Sequence, residues 1–249
     1  MSPRTMIGTL PPRKMGHDMS RESLVDSLIN ELLDDIATGR LIENQPIPAE
    51  AELAERFHVN RLTIREALRK MQAQGIVRTV PGRRSELNPL SQWVDIGAAL
   101  RIVGSRIGAQ QASLQLLQLR RMIETEACAL AAPLIGSEGI EQLERDLEGM
   151  RIAADANNVD VFVKHDLAFH DLILDSCGNA LLRILMEPLH NLMEKGRRET
   201  SSVPQVQRNA IEMHLAIIVA LRSGSSDQGR EAMIAHMEQT ERDLIQYVL

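Results

Sequence analysis

Apolar positions mark out the first element. Leu24, Val25, Leu28, Ile29, Leu32, Leu33 and Ile36 recur three or four residues apart, which is the spacing of one helix face. Ser20 stands where a cap for that helix is expected, and Gly39 stops it. Asn44, Pro46 and Pro48 then keep the chain irregular. A short helix is predicted over 49–57, with Leu53, Ala54 and Phe57 on one face. After the turn His58-Val59-Asn60, a second helix is predicted over 61–74. Its core stripe is Ile64, Leu68 and Met71, and Gly75 supplies a C-cap. Residues 76–80 and 85–87 read as short β pieces on either side of Pro81-Gly82, which makes a hairpin.

Further along, Pro89, Gly97, Gly104 and Gly108 mark a linker that overlaps a first short helix at 93–103. The pattern then becomes helix after helix. Spans 112–134, 137–155, 158–177, 179–200, 203–223 and 226–247 are separated by Pro, Gly, Asn and Ser breaks. The fold class expected is mainly α: an N-terminal winged helix-turn-helix plus a C-terminal all-helical antiparallel bundle. Residues 1–18 read as a flexible tail, 19–88 as the winged domain, 89–110 as linker and first helix, and 111–249 as the bundle.

Composition narrows the function. One Trp, one Tyr and three Phe are too few for binding single strands by stacking bases on aromatic rings. No stretch approaches the roughly 20 apolar residues of a membrane span, and the N-terminus lacks a signal-peptide layout, so a cytoplasmic protein is expected. Cys128 and Cys177 read as small buried thiols of a reducing compartment. The net charge of −6 conceals a basic stretch: residues 56–84 hold eight Lys or Arg against one acid, Glu66. That stretch coincides with the two short helices. A basic helix following a tight turn is the layout that enters a DNA major groove. Arg61 and Arg65 share a face with each other and roughly with Arg69, opposite the apolar stripe. Arg can read guanine bidentately, and Thr63 can meet a thymine methyl or a phosphate.

Residues 36–87 resemble the GntR family of bacterial regulators. The resemblance lies in Ile47-Pro48-Ala49-Glu50, Glu52-Leu53-Ala54-Glu55-Arg56-Phe57, the run from Val59 through Arg65-Glu66-Ala67-Leu68, and Gln74-Gly75-Ile76-Val77. It implies a double-stranded DNA operator read by a homodimer, through Asn60, Arg61, Thr63, Arg65 and Arg69, and through the wing residues Gly82, Arg83 and Arg84. Two departures stand out. Ala51 replaces a common DNA-contacting Arg, and the wing carries Arg84 and Glu86 where the family has Gly and an aromatic.

Asp166 and His170 lie one turn apart, and His214 and His236 fall on two later helices. Carboxylate and imidazole together could ligate a divalent metal. By spacing alone the signal is weak, since a pair such as Asp166 and His170 is more often a surface pair than a ligand set. Residues 114–247 resemble the helical FCD effector domain of the FadR subgroup, through Leu119–Glu124, Asp166–His170, Cys177–Leu182, His214–Ile218 and Ala232–His236. In metal-binding members one Asp and three His ligate the ion, and Asp166, His170, His214 and His236 fill those positions. The resemblance thus implies a transition-metal cofactor (zinc first, nickel or manganese as alternatives) and an effector-binding, dimerising domain. The effector implied is a small organic acid, with Arg120 and Asn179 beside it. Arg120 is equally readable as a partner of Glu124, and Asn179 as a helix cap. The leading reading is a metabolite-responsive transcriptional regulator, a repressor, and not an enzyme. A metal sensor is the alternative. A metal-dependent hydrolase or isomerase is disfavoured by the lack of His-Glu-x-x-His and Gly-x-Ser-x-Gly.

Overall fold

The computed structural model describes residues 24–249; the expected tail at 1–18 and the Ser20 cap lie outside the described residues. The chain divides after Arg106 into two compact units. In the first, α1 (Leu24–Ala37), α2 (Glu50–Phe57) and α3 (Arg61–Ala73) precede a two-stranded antiparallel hairpin. Its strands, β1 (Val77–Arg78) and β2 (Glu86–Leu87), pair Val77 with Leu87 and Arg78 with Glu86. Leu28, Leu32 and Ile36 of α1 meet Leu53 and Phe57 of α2 and Ile64, Leu68 and Met71 of α3 in one core, closed by Ile76 and Leu87. The periodicity therefore marks the buried faces correctly.

The strands are shorter than expected, and the loop before α2 also pairs with β2. Pro46 bridges to Glu86, and Asn44 N–H donates to the Leu87 carbonyl at 2.8 Å. Gly75 follows α3 with φ +72, and a Cβ there would lie 2.6 Å from the Gln92 carbonyl, so glycine is required twice over. The linker helix forms later than predicted, as α4 (Ile96–Ile107), after a 3-10 turn at Leu90–Gln92. Its Ala98 and Ile102 are buried in the first unit's core.

The second unit comprises α5 (Ala109–Ala131), α6 (Gly136–Asp155), α7 (Val159–Ser176), α8 (Ala180–Met186), α9 (His190–Thr200), α10 (Pro204–Arg222) and α11 (Ser226–Tyr247). α5 packs on α7 and α11, α6 on α7 and α10, and α10 on α11. Three-residue connections make α6/α7 and α10/α11 antiparallel neighbours. The single helix predicted over 179–200 is in fact two. Pro188 lacks an N–H and cannot continue an α-helix, so a 3-10 turn at Glu187–Leu189 separates α8 from α9. Cys128 and Cys177 are buried and unpaired.

Candidate functional site

The residues expected to read DNA lie on and beside α3. Asn60 is its N-cap: Oδ1 accepts from Thr63 N–H at 2.8 Å and from the Thr63 hydroxyl at 3.0 Å. Two residues expected at DNA thus also fix the start of the recognition helix. His58 takes the left-handed conformation, φ 55, that turns the chain from α2 into α3. The wing tip is a type II turn. Arg83 N–H donates to the Val80 carbonyl at 3.0 Å, with Pro81 second and Gly82, φ +70, third.

The structure revises the tally of free cations. Arg56 is buried, on the fully buried Asp35, with Nη2–Oδ1 at 3.0 Å. It ties α2 to α1 and is not on the basic face. Arg65 lies along Glu50, at 2.9 Å from Nη2 and 3.3 Å from Nε. Arg84 reaches Glu52 at 3.0 Å and Arg78 reaches Glu86 at 2.7 Å. Lys70 contacts Asp26. Arg61, Arg69 and Arg83 are exposed, and no ion pair is seen for them among the described residues. Exposed pairs of this kind are weak and yield readily to phosphate.

The second cluster lies inside the helical unit. α7 contributes Asp166 and His170, α10 His214 and α11 His236, all buried. One ring nitrogen from each of the three histidines falls within 4.8 Å of the others. His214 Nδ1 lies 2.6 Å from the Ala210 carbonyl, so it carries the proton and Nε2 presents its lone pair. That Nε2 lies 3.2 Å from His170 Nε2 and 3.1 Å from Asp166 Oδ1. Phe169 packs edge-on to His214, with ring centroids 4.4 Å apart. Burial, reinforced by neighbouring positive charge, pushes the His214 and His236 pKa values well below the usual imidazole range, so both rings are neutral.

These residues fit a divalent metal. Neutral imidazoles are the ligating form, and the His236 Nδ1 is buried with no hydrogen-bond partner. Two ligands about 2.0–2.1 Å from a tetrahedral ion stand roughly 3.3 Å apart, close to the His170–His214 spacing. Asp166, expected as the fourth ligand, is not part of that group of three: its Oδ1 lies 3.1 Å from His214 Nε2, while its Oδ2 is held by Arg197 of α9. An ion there would supply Lewis acidity for an anionic ligand; the chain supplies the imidazoles, the carboxylate and the burial.

α5 completes the cluster. Arg120 Nε donates to Glu124 Oε1 at 2.7 Å, the pairing left open by the sequence. Glu124 Oε2 lies 2.6 Å from His170 Nδ1. Burial would raise the Glu124 carboxyl, but the charges of Arg120 and His170 outweigh it and hold the group well below the usual range. Asn179 is not among these contacts. It is exposed, and its Oδ1 accepts from Leu181 N–H at 3.2 Å as the α8 cap. Sequence reasoning missed Arg197, which sits beside Arg198 and reads as surface charge. The available signal was phase: Leu189, Met193, Arg197 and Ser201, four apart, are all buried.

Comparison with known proteins matches both units to known domains. Residues 24–86 match the model for bacterial regulatory proteins of the gntR family, and residues 115–239 match the FCD domain. The chain is 31% identical to the HTH-type transcriptional regulator LutR of Bacillus subtilis, over 85% of this chain and 97% of that protein. The chain belongs to the GntR family. This GntR-family regulator is also 25% identical to the galactonate operon transcriptional repressor of Escherichia coli, over 88% of this chain and 96% of the relative. Among solved structures it shares its fold with Lar, which controls expression of the Listeria monocytogenes agr system: TM-score 0.63, 19% identity, 91% of this chain and 99% of that one. Such relatives are regulators of transcription, not enzymes. Among the described residues of this GntR-family chain, no helix is long and apolar enough to cross a membrane.

Proposed function

We propose that this protein is a cytoplasmic homodimeric repressor that binds a palindromic operator and responds to a small organic acid held beside a divalent metal. The observation that carries the reading is the buried cluster of three imidazoles and a carboxylate with two guanidinium groups against it. Buried groups of this kind rarely serve stability alone. An arginine clamps a carboxylate well, and a metal with open positions accepts one of its oxygens. Relatives named as repressors, one of them of a galactonate operon, support both the sign and the class of signal. Ligand that binds one operator-affinity state better than the other shifts the balance between them.

The test is a thermal-shift screen of hydroxy acids, sugar acids and dicarboxylates on protein purified without chelator, followed by operator binding with and without each hit. A stabilising acid that alters operator affinity is expected. Absence of metal by elemental analysis, with acid response intact in His214→Ala, would remove the metal from the proposal. For the dimer, sedimentation at micromolar concentration should give two copies per operator. A monomer with one head per site would refute that part.

A further inference from the structure

Two arginines meet the same buried cluster, and neither is saturated. Arg197 directs Nη1 to Asp166, while its Nε and Nη2 are buried and have no hydrogen-bond partner. Those two atoms form one edge of the guanidinium, the edge that takes a carboxylate bidentately. Arg120 uses Nε on Glu124 Oε1 and shows no other hydrogen bond among the described residues, which leaves its Nη1/Nη2 edge open. Both side chains are about nine-tenths buried, at 7% exposure each. Buried donors left without partners are rare in native proteins, and a ligand or water normally accounts for them.

Charge points the same way. Arg120 and Arg197 already pair with Glu124 and Asp166, one guanidinium to each carboxylate. Each of the two buried carboxylates is thus already matched by a guanidinium. A divalent ion on the imidazoles would add two positive charges in a region with little water, where an unbalanced charge is costly. A monocarboxylate would offset only one of them.

We propose that this site takes a dianion with two carboxylates, one on the open edge of Arg120 and one on the open edge of Arg197. The inference rests on the proposed function, in which the site binds an organic acid, and it narrows that acid to a diacid. Arg197 then has two roles: it holds Asp166 toward the histidines through Nη1 and binds ligand through its opposite edge.

Matched pairs of acids test this on the full-length, metal-loaded protein. Malate is compared with 2-hydroxybutyrate, and glucarate with gluconate. Each pair shares a carbon chain and differs in the second carboxylate. Calorimetry should show at least one diacid binding about tenfold or more tightly than its monoacid, the weight of one added charge-assisted contact. Arg197→Lys keeps the charge on Asp166 but removes the fork. It should lose the diacid preference while metal content and helicity stay unchanged. Arg120→Lys should do likewise and serves if the first variant folds poorly. Equal affinity for both members of each pair would overturn the diacid inference and leave the organic-acid reading standing, as would a diacid preference that survives in both lysine variants. No binding by any of the four acids would count against both.

Discussion

Of the eight cations between residues 56 and 84, Arg56 is buried and the other seven reach solvent, some of them paired with acids, and these differences set what each substitution should do. Arg61 and Arg65 sit in the first turns of α3, where the side chains of a helix docked in the major groove would reach base edges. Replacing either with Ala should cost about 1–3 kcal/mol of operator binding if the contact is a bidentate base pair. Arg83→Ala in the wing should instead flatten the dependence of binding on salt, through one lost phosphate contact. Fluorescence anisotropy over a salt series separates the two, and wild-type binding by both α3 variants would refute the docking. Arg56 belongs to a different class. Arg56→Met strands the Asp35 carboxylate, which is fully buried and, among the described residues, retains Arg40 at 2.6 Å. Urea unfolding of the first unit should report a loss of about 3 kcal/mol, the lower end for breaking a buried pair from one side. A loss below a few tenths would mean that Arg40 takes over fully.

At the scale of elements, the helix-turn-helix depends on one unusual backbone conformation. His58 closes α2 in the left-handed region, where its N–H reaches the Glu55 carbonyl at 3.3 Å. A Cβ makes that conformation unfavourable by roughly 1–2 kcal/mol, and glycine removes the clash at some entropic cost. His58→Gly should therefore stabilise the first unit by about 0.5–1 kcal/mol. A lowered urea midpoint would show that the imidazole makes a compensating contact. α9 shows the converse, an element whose buried stripe includes a charge. Its Met193 and Arg197 continue a buried face begun by Leu189 of the preceding turn, so α9 packs on α7 with a guanidinium beside Asp166.

For the molecule as a whole, the histidine cluster links stability to pH and to metal. His214 and His236 have folded pKa values well below 6.5, so the unfolded chain takes up protons first as pH falls. Stability is therefore full above about 6.5 and declines as pH drops from there toward the depressed folded values. Protons also compete with an ion for the same nitrogens, which adds to the decline. Chelation at neutral pH should lower the melting temperature, because an ion on α7, α10 and α11 cross-links three helices. His236→Ala should lose the chelator sensitivity while leaving unfolding of the first unit unchanged. A melting curve indifferent to chelator in the wild type would remove the metal from the stability account.

Much of this architecture is legible in the sequence, because helix periodicity, N-caps and turn residues act over a few positions. Ile64, Leu68 and Met71 mark the buried side of α3 whatever else the chain does. Gly75 and Pro81-Gly82 fix the turns beside it by backbone sterics alone. The four candidate ligands are likewise visible as residues, through their resemblance to a known domain. Only the tertiary structure decided which charges are free and which groups meet. Arg56 and Arg61 look alike in sequence, yet one is buried on Asp35 and the other exposed, since the difference depends on where α1 packs. Arg197 reads as surface charge and in fact lies against Asp166, because the face of α9 that carries it packs on α7. Side chains from α5, α7, α9, α10 and α11 converge through long-range packing. No local pattern encodes that convergence, because each helix specifies its own buried face and not the polar atoms its neighbours will bring to it.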